Sequence, residues 1–204
     1  MISLFSQSPI LFFLLIIGLL LAVTIHEFSH ALAADLLGDP NPRSNGRLTL
    51  NPLAHLDPIG SLSLLFFGFG WGKPVETVVS NLRQPRRDIA IISFAGPLSN
   101  LVLALILSLL LSFTSSPLLA SFLSTVIYVN LTLAVFNLLP IYPLDGEKIL
   151  LGLLPRQTAF EFQSITRRYG TIILLFLILP LLNGTSFLSA LISPIIGFLF
   201  NLLV

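Results

Sequence analysis

From about Pro9 to Leu37 the chain is apolar almost without relief, and that run decides what the rest can become. A helix needs ~20 such residues to cross the hydrocarbon core of a bilayer, so the run is long enough to span. Elsewhere the sequence offers no polar skin: apolar residues make up 55% of the 204 positions, and Asp, Glu, Lys and Arg together 9%. A soluble domain carries about a quarter charged residues, and this chain could not cover a globular surface with so few. The solvent is therefore lipid. The expected fold is an all-α polytopic membrane bundle of about five to six transmembrane helices.

The length suits one unit, so residues 1–204 are expected to form a single membrane-embedded domain. Its core lies at about 9–150 and a C-terminal helical hairpin at about 169–204. No internal repeat, linker or appended soluble domain is visible. The absence of cysteine excludes disulfides and thiolate metal sites, and no basic stretch suits nucleic acid. Met1–Ser8 lacks Lys and Arg, and no small-residue cleavage site closes the apolar run, which reads as a retained span and not a signal peptide.

The first span should end at Gly38-Asp39-Pro40, because proline cannot continue a helix and glycine suits its C-terminal cap. Leu48-Thr49-Leu50 reads as extended. Ile59–Trp71 is apolar but short and glycine-rich, the character of a re-entrant or interfacial segment. Further spans are expected at Ile89–Phe113, Leu118–Leu139, Thr171–Leu182 and Phe187–Leu203, the last two joined at Asn183-Gly184, with a charged segment at Glu147–Arg168. If Ile59–Trp71 turns back, all ten Lys and Arg residues fall on one side of the membrane; if it crosses, they split two against eight. The positive-inside rule favours the first arrangement and makes that side cytoplasmic. Arg86-Arg87-Asp88 reads as an interfacial anchor, with Trp71 and Tyr169 at headgroup level.

Chemistry concentrates at the end of the first span, where His26-Glu27-Phe28-Ser29-His30 follows H-E-x-x-H. Helical positions four apart share a face, so two imidazoles can reach one zinc ion while Glu27 stands near enough to take a proton from its water. Hydrogen bonding to neighbouring helices is the simpler role for such histidines in a soluble helix. Here His26 sits roughly two dozen ångströms along the span from Pro9, where ionisable groups are expensive and normally functional. A catalytic zinc site takes three protein ligands and leaves one position open. The third is His55 or a carboxylate, and Asp145, behind Pro140 and Pro143 at the mouth of the span Leu118–Leu139, is the stronger candidate. Alone, Asp145 would read as a cap or turn residue. His55, within Asn51–Pro58, reads either as a gate or regulatory ligand over the metal or as a solvated loop histidine beside the turn residue Asp57.

Together His26–His30 and Asn137–Gly146, which follows N-x-x-P-x-x-P-x-D-G, resemble the two signatures of the site-2 proteases, intramembrane zinc metalloproteases. Phe94–Asn100 is similar to the middle core span of that family, and the likeness runs from about Val23 to Lys148. The resemblance implies that His26, His30 and Asp145 bind one zinc, that Glu27 is the general base, and that Asn137 positions substrate or the developing oxyanion. It implies a transmembrane protein or peptide as substrate, with membrane lipid around it, in a bacterial or archaeal cell membrane or a plastid membrane; the charge count turns the site toward the cytoplasm. The chain lacks the inserted PDZ domain and the nucleotide-sensing tail of some members. Two other functions compete: a metal-binding transporter, which should carry polar groups across the whole bilayer, often in repeated halves, and an inactive membrane scaffold, against which Glu27 argues.

Overall fold

The computed structural model describes residues 2–67, 70–179 and 185–204. Nine helices occur among them: α1 (Ile2–Gln7), α2 (Pro9–Leu36), α3 (Asn41–Ser44), α4 (Pro58–Phe67), α5 (Pro85–Leu111), α6 (Pro117–Asn137), α7 (Asp145–Leu153), α8 (Arg156–Ile178) and α9 (Phe187–Leu203). Proline opens α2, α5 and α6, where its missing N–H costs nothing and its fixed φ suits the first turn. Ser186 and Ser189 close a capping box at the start of α9. Gly38, at φ 104°, takes the left-handed position after α2. The fully buried Asp39 beyond it accepts from Val78 N and Asn81 Nδ2, which fastens the end of α2 to the loop before α5.

Helices α2, α5 and α6 are long and apolar enough to cross a membrane, and α9 is a shorter apolar helix of 17 residues. The chain is an all-α integral membrane protein. Helix α5 lies at the centre and packs on α2, α6 and α7. Gly18 of α2 faces Val126 of α6. Ala104, Ile127, Leu131, Val135 and Ile192 join α5, α6 and α9 in the main apolar core. Large apolar side chains such as Ile10, Phe13, Leu105, Leu109 and Phe198 point outward, which suits a bundle whose solvent is lipid.

Helix α4 does not cross. Its ten residues rise only ~15 Å, about half a hydrocarbon core. Its flanks are tied together by an antiparallel bridge between Leu56 and Gly72 and by Lys73 N donating to His55 O at 2.8 Å. The chain thus leaves and returns at one level, so the re-entrant reading of Ile59–Trp71 stands.

Other expectations are corrected. Leu48 and Thr49 form a bend and not part of an extended strand. Glu147–Arg168 is no separate segment before a span at Thr171: Pro155 breaks the chain once, and α8 then runs unbroken from Arg156 through Ile178, charged in its first half and apolar in its second. The turn expected at Asn183-Gly184 lies outside the described residues. Arg86 is no simple interfacial anchor, because its Nη2 donates to the carbonyls of Leu151 and Leu154 that α7 leaves open, and Asp88 caps α5 by accepting from Gln84 N. Trp71 and Tyr169 are both exposed.

Candidate metal centre

The two histidines of α2 sit one turn apart with ring centroids 4.6 Å from each other, and the carboxylate of Asp145 closes on them from the start of α7. Asp145 Oδ2 is 3.2 Å from His26 Nε2 and 3.1 Å from His30 Nε2, and the two nitrogens are 3.0 Å apart. Each of the three residues is at most 8% exposed. The chain reaches this point by doubling back over the end of α6. Gly146 makes that possible, for a Cβ there would stand 2.3 Å from Leu138 O.

Direction decides what this cluster suits. His26 Nδ1 donates to Asn100 Oδ1 at 2.6 Å and His30 Nδ1 donates to Ile92 O at 2.7 Å. In the neutral imidazoles the protons therefore point outward, and both Nε2 lone pairs face the carboxylate oxygen. Three acceptors turned on one another within 3.2 Å form an arrangement that a cation among them would relieve. Their spacing is close to the ~3.3 Å that separates ligands of a tetrahedral zinc at its usual bond lengths. Gly96 on α5 leaves the space beside both imidazoles open. A Cβ there would stand 2.4 Å from His30 Nε2 and 2.7 Å from His26 Nε2. Among the described residues His26, His30 and Asp145 form the one group with this donor geometry.

Glu27 lies on the loop side of the cluster. Its Oε2 is 4.0 Å from Arg47 Nη2, and a Cβ on Gly72 would stand 3.5 Å from its Oε1. Arg47 is buried and donates to the carbonyls of Ala54 and Lys73, one on each side of the α4 hairpin. Asn137, at the end of α6, is not drawn into the hydrogen bonds of the cluster; its Nδ2 donates to Leu133 O at 3.0 Å. His55 is neither a ligand of this group nor a solvated loop residue. It is fully buried, with Nε2 donating to Thr49 O at 2.7 Å. Asp57 is the turn residue its sequence suggests, accepting from Gly60 N at the start of α4.

Sequence reasoning gave no site role to Gly96 as the wall of the cluster or to the buried pair Asn100 and Asn130. The signal for the asparagines was present: an amide in the middle of an apolar span needs partners as surely as a histidine does.

Comparison with known proteins places the chain in a family. The family model described as "Peptidase family M50" matches residues 115–177. "Putative zinc metalloprotease YwhC" of Bacillus subtilis is 38% identical over 175 residues, covering 80% of this chain and 78% of that protein. "Putative zinc metalloprotease Rip2" of Mycolicibacterium smegmatis is 36% identical over 183 residues, and its namesake in Mycobacterium tuberculosis 34% over 186; each alignment covers 86% of this chain and 71% of the relative. No solved structure matches the chain. With more than two thirds of each relative covered at over 30% identity, the chain belongs to peptidase family M50 and is a membrane metalloprotease.

Proposed function

We propose that this chain is a zinc-dependent endopeptidase that cuts transmembrane proteins or peptides in or beside the bilayer, as in regulated intramembrane proteolysis. The observation that carries this is the meeting of two Nε2 lone pairs and a carboxylate in the C-terminal half of an apolar helix long enough to cross a membrane. His26, His30 and Asp145 would hold one zinc. A zinc held there would supply Lewis acidity, making a water acidic near neutral pH and polarising the scissile carbonyl. Glu27, beside His26 and itself no member of the ligand group, takes the proton from the water and returns it to the leaving amine. Asn137 would donate to the oxyanion or to a substrate amide, giving up its bond to the Leu133 carbonyl.

Cleavage at membrane depth is supported by the walls of the site, which are α2, α5 and the end of α6, all with lipid-facing outer sides. A substrate helix entering between them must unwind locally to expose its amide. We further propose that residues 1–204 act as one membrane unit in a bacterial cell membrane, the source of the relatives that it matches. The site would face the cytoplasm, because α4 returns to its own side and keeps all ten Lys and Arg there.

Glu27→Gln tests the enzyme against a metal-binding transporter or scaffold. The amide keeps size and hydrogen bonding but cannot act as base. The purified variant should retain about one zinc per chain, while cleavage of membrane-embedded reporters falls by about 10²–10⁴-fold. Cleavage at the parent rate with zinc bound would remove Glu27 from the mechanism.

A further inference from the structure

Two asparagines lie in the middle of apolar helices with no accessible surface at all: Asn100 on α5 and Asn130 on α6. Buried amides in such places must satisfy their donors and acceptors or carry a heavy penalty, and these two do so in a single directed chain. The Val126 carbonyl can only accept, so the group of Asn130 that lies 2.8 Å away is its Nδ2. That turns Asn130 Oδ1 towards α5. Oδ1 also can only accept, as can Ala22 O, so the group of Asn100 that lies 2.8 Å from one and 3.0 Å from the other is again the amide nitrogen. Asn100 Oδ1 is left to face His26 Nδ1 at 2.6 Å, and the proton of that bond must come from the imidazole. Each direction follows from the one before it, starting at a backbone carbonyl with no choice.

We propose that Asn100 and Asn130 are positioning residues that lock His26 into the tautomer with a free Nε2 lone pair, and so set the affinity of the site for its metal. The proposal rests on His26, His30 and Asp145 being the zinc ligands. Without the relay, the metal-free protein has a competing state. His26 would carry its proton on Nε2 and donate to Asp145 Oδ2, 3.2 Å away, which places a hydrogen where the cation belongs. His30 needs no relay because the Ile92 carbonyl accepts from its Nδ1 directly. Partners of this kind behind a metal-bound histidine typically change affinity by about 10–100-fold.

The chain has three histidines, few enough for each ring to be followed by ¹⁵N NMR in the purified full-length protein labelled at histidine. In the metal-free parent, above the pH range of histidine titration, His26 is expected with its proton on Nδ1. In Asn100→Leu that proton should move to Nε2, and zinc affinity, measured by competition with a chelator, should fall by about 10–100-fold. Asn130→Leu leaves every group that touches His26 in place and takes away one acceptor of the Asn100 amide; its affinity should fall towards the lower end of that range. It is the variant to read if Asn100→Leu does not fold. A metal-free parent with His26 protonated at Nε2, or either variant binding zinc as the parent does, overturns the proposal. A parent that binds no zinc refutes the ligand assignment instead, and the tautomer measurement still judges the relay.

Discussion

At the scale of single residues, the site depends as much on an absent side chain as on those present. Gly96 faces both imidazoles across the α2–α5 contact, so Gly96→Ala would put a methyl group 2.6 Å from His30 Cε1, nearer than any carbon pair tolerates. The methyl group cannot move, because it is fixed to the helix backbone, and the rings must turn away. Alanine is otherwise the better helix former by ~1 kcal/mol, so loss of folding is not the expected result. Gly96→Ala should insert and stay folded while zinc content drops to a small fraction of one per chain and cleavage is lost. Gly197→Ala on α9 meets nothing within 4 Å and serves as the control, with zinc and rate unchanged. A zinc-replete Gly96→Ala would show that the cluster has more slack than its spacing suggests. This wall was not legible in the sequence. Nothing in Phe94–Asn100 says which neighbour a glycine protects until the helices are packed, whereas the meeting of His26 with His30 follows from helical spacing alone.

Among the elements, α4 shows how much a short sequence can say about its own path. Its length and its glycines told against a crossing, and the fold adds why the return is tight: a Cβ on Gly60 would stand 2.2 Å from Trp71 O. Gly60→Leu should therefore force the hairpin open. The flanks it would disturb are those that Arg47 ties together beside Glu27, and none of the three proposed ligands lies on them. Zinc should remain near one per chain while cleavage falls on the order of 10²-fold, as expected when a group close to the reacting atoms is displaced by ~1 Å. Loss of zinc along with rate would mean that the hairpin supports the metal directly. Elements set by composition were read well, and the ends of α2, α5 and α6 lie within about four residues of their expected places because proline, glycine and serine mark them. Elements set by packing were read less well. The charged start of α8 resembles a loop by hydropathy, yet it folds as helix, with Thr166 donating to the buried Glu147 of α7 and Gly170 seated against Tyr142.

For the whole molecule, charge and geometry give two separate accounts of the same topology. The charge count places residues 43–58, 72–87 and 147–168 on one side of the membrane. The cluster requires it too: His30 near the end of α2 and Asp145 just beyond α6 lie 3.1 Å apart, so the chain between them must cross an even number of times. Helices α5 and α6 supply those two crossings, and α4 supplies none. Since the chain has no cysteine, single thiols can report the arrangement without background. Asn45→Cys, Ser80→Cys and Phe160→Cys should all react with an impermeant thiol reagent applied to inside-out vesicles and stay unlabelled in intact cells. Ser115→Cys, in the turn between α5 and α6, should behave in the opposite way. Labelling of Ser80→Cys from outside while Asn45→Cys stays inside would require α4 to cross. The Leu56–Gly72 bridge and the Lys73–His55 hydrogen bond could not then form, and Arg47 could not reach both sides of the hairpin. Uniform inversion of all four positions would keep the fold and the cluster intact and move the site to the outer face.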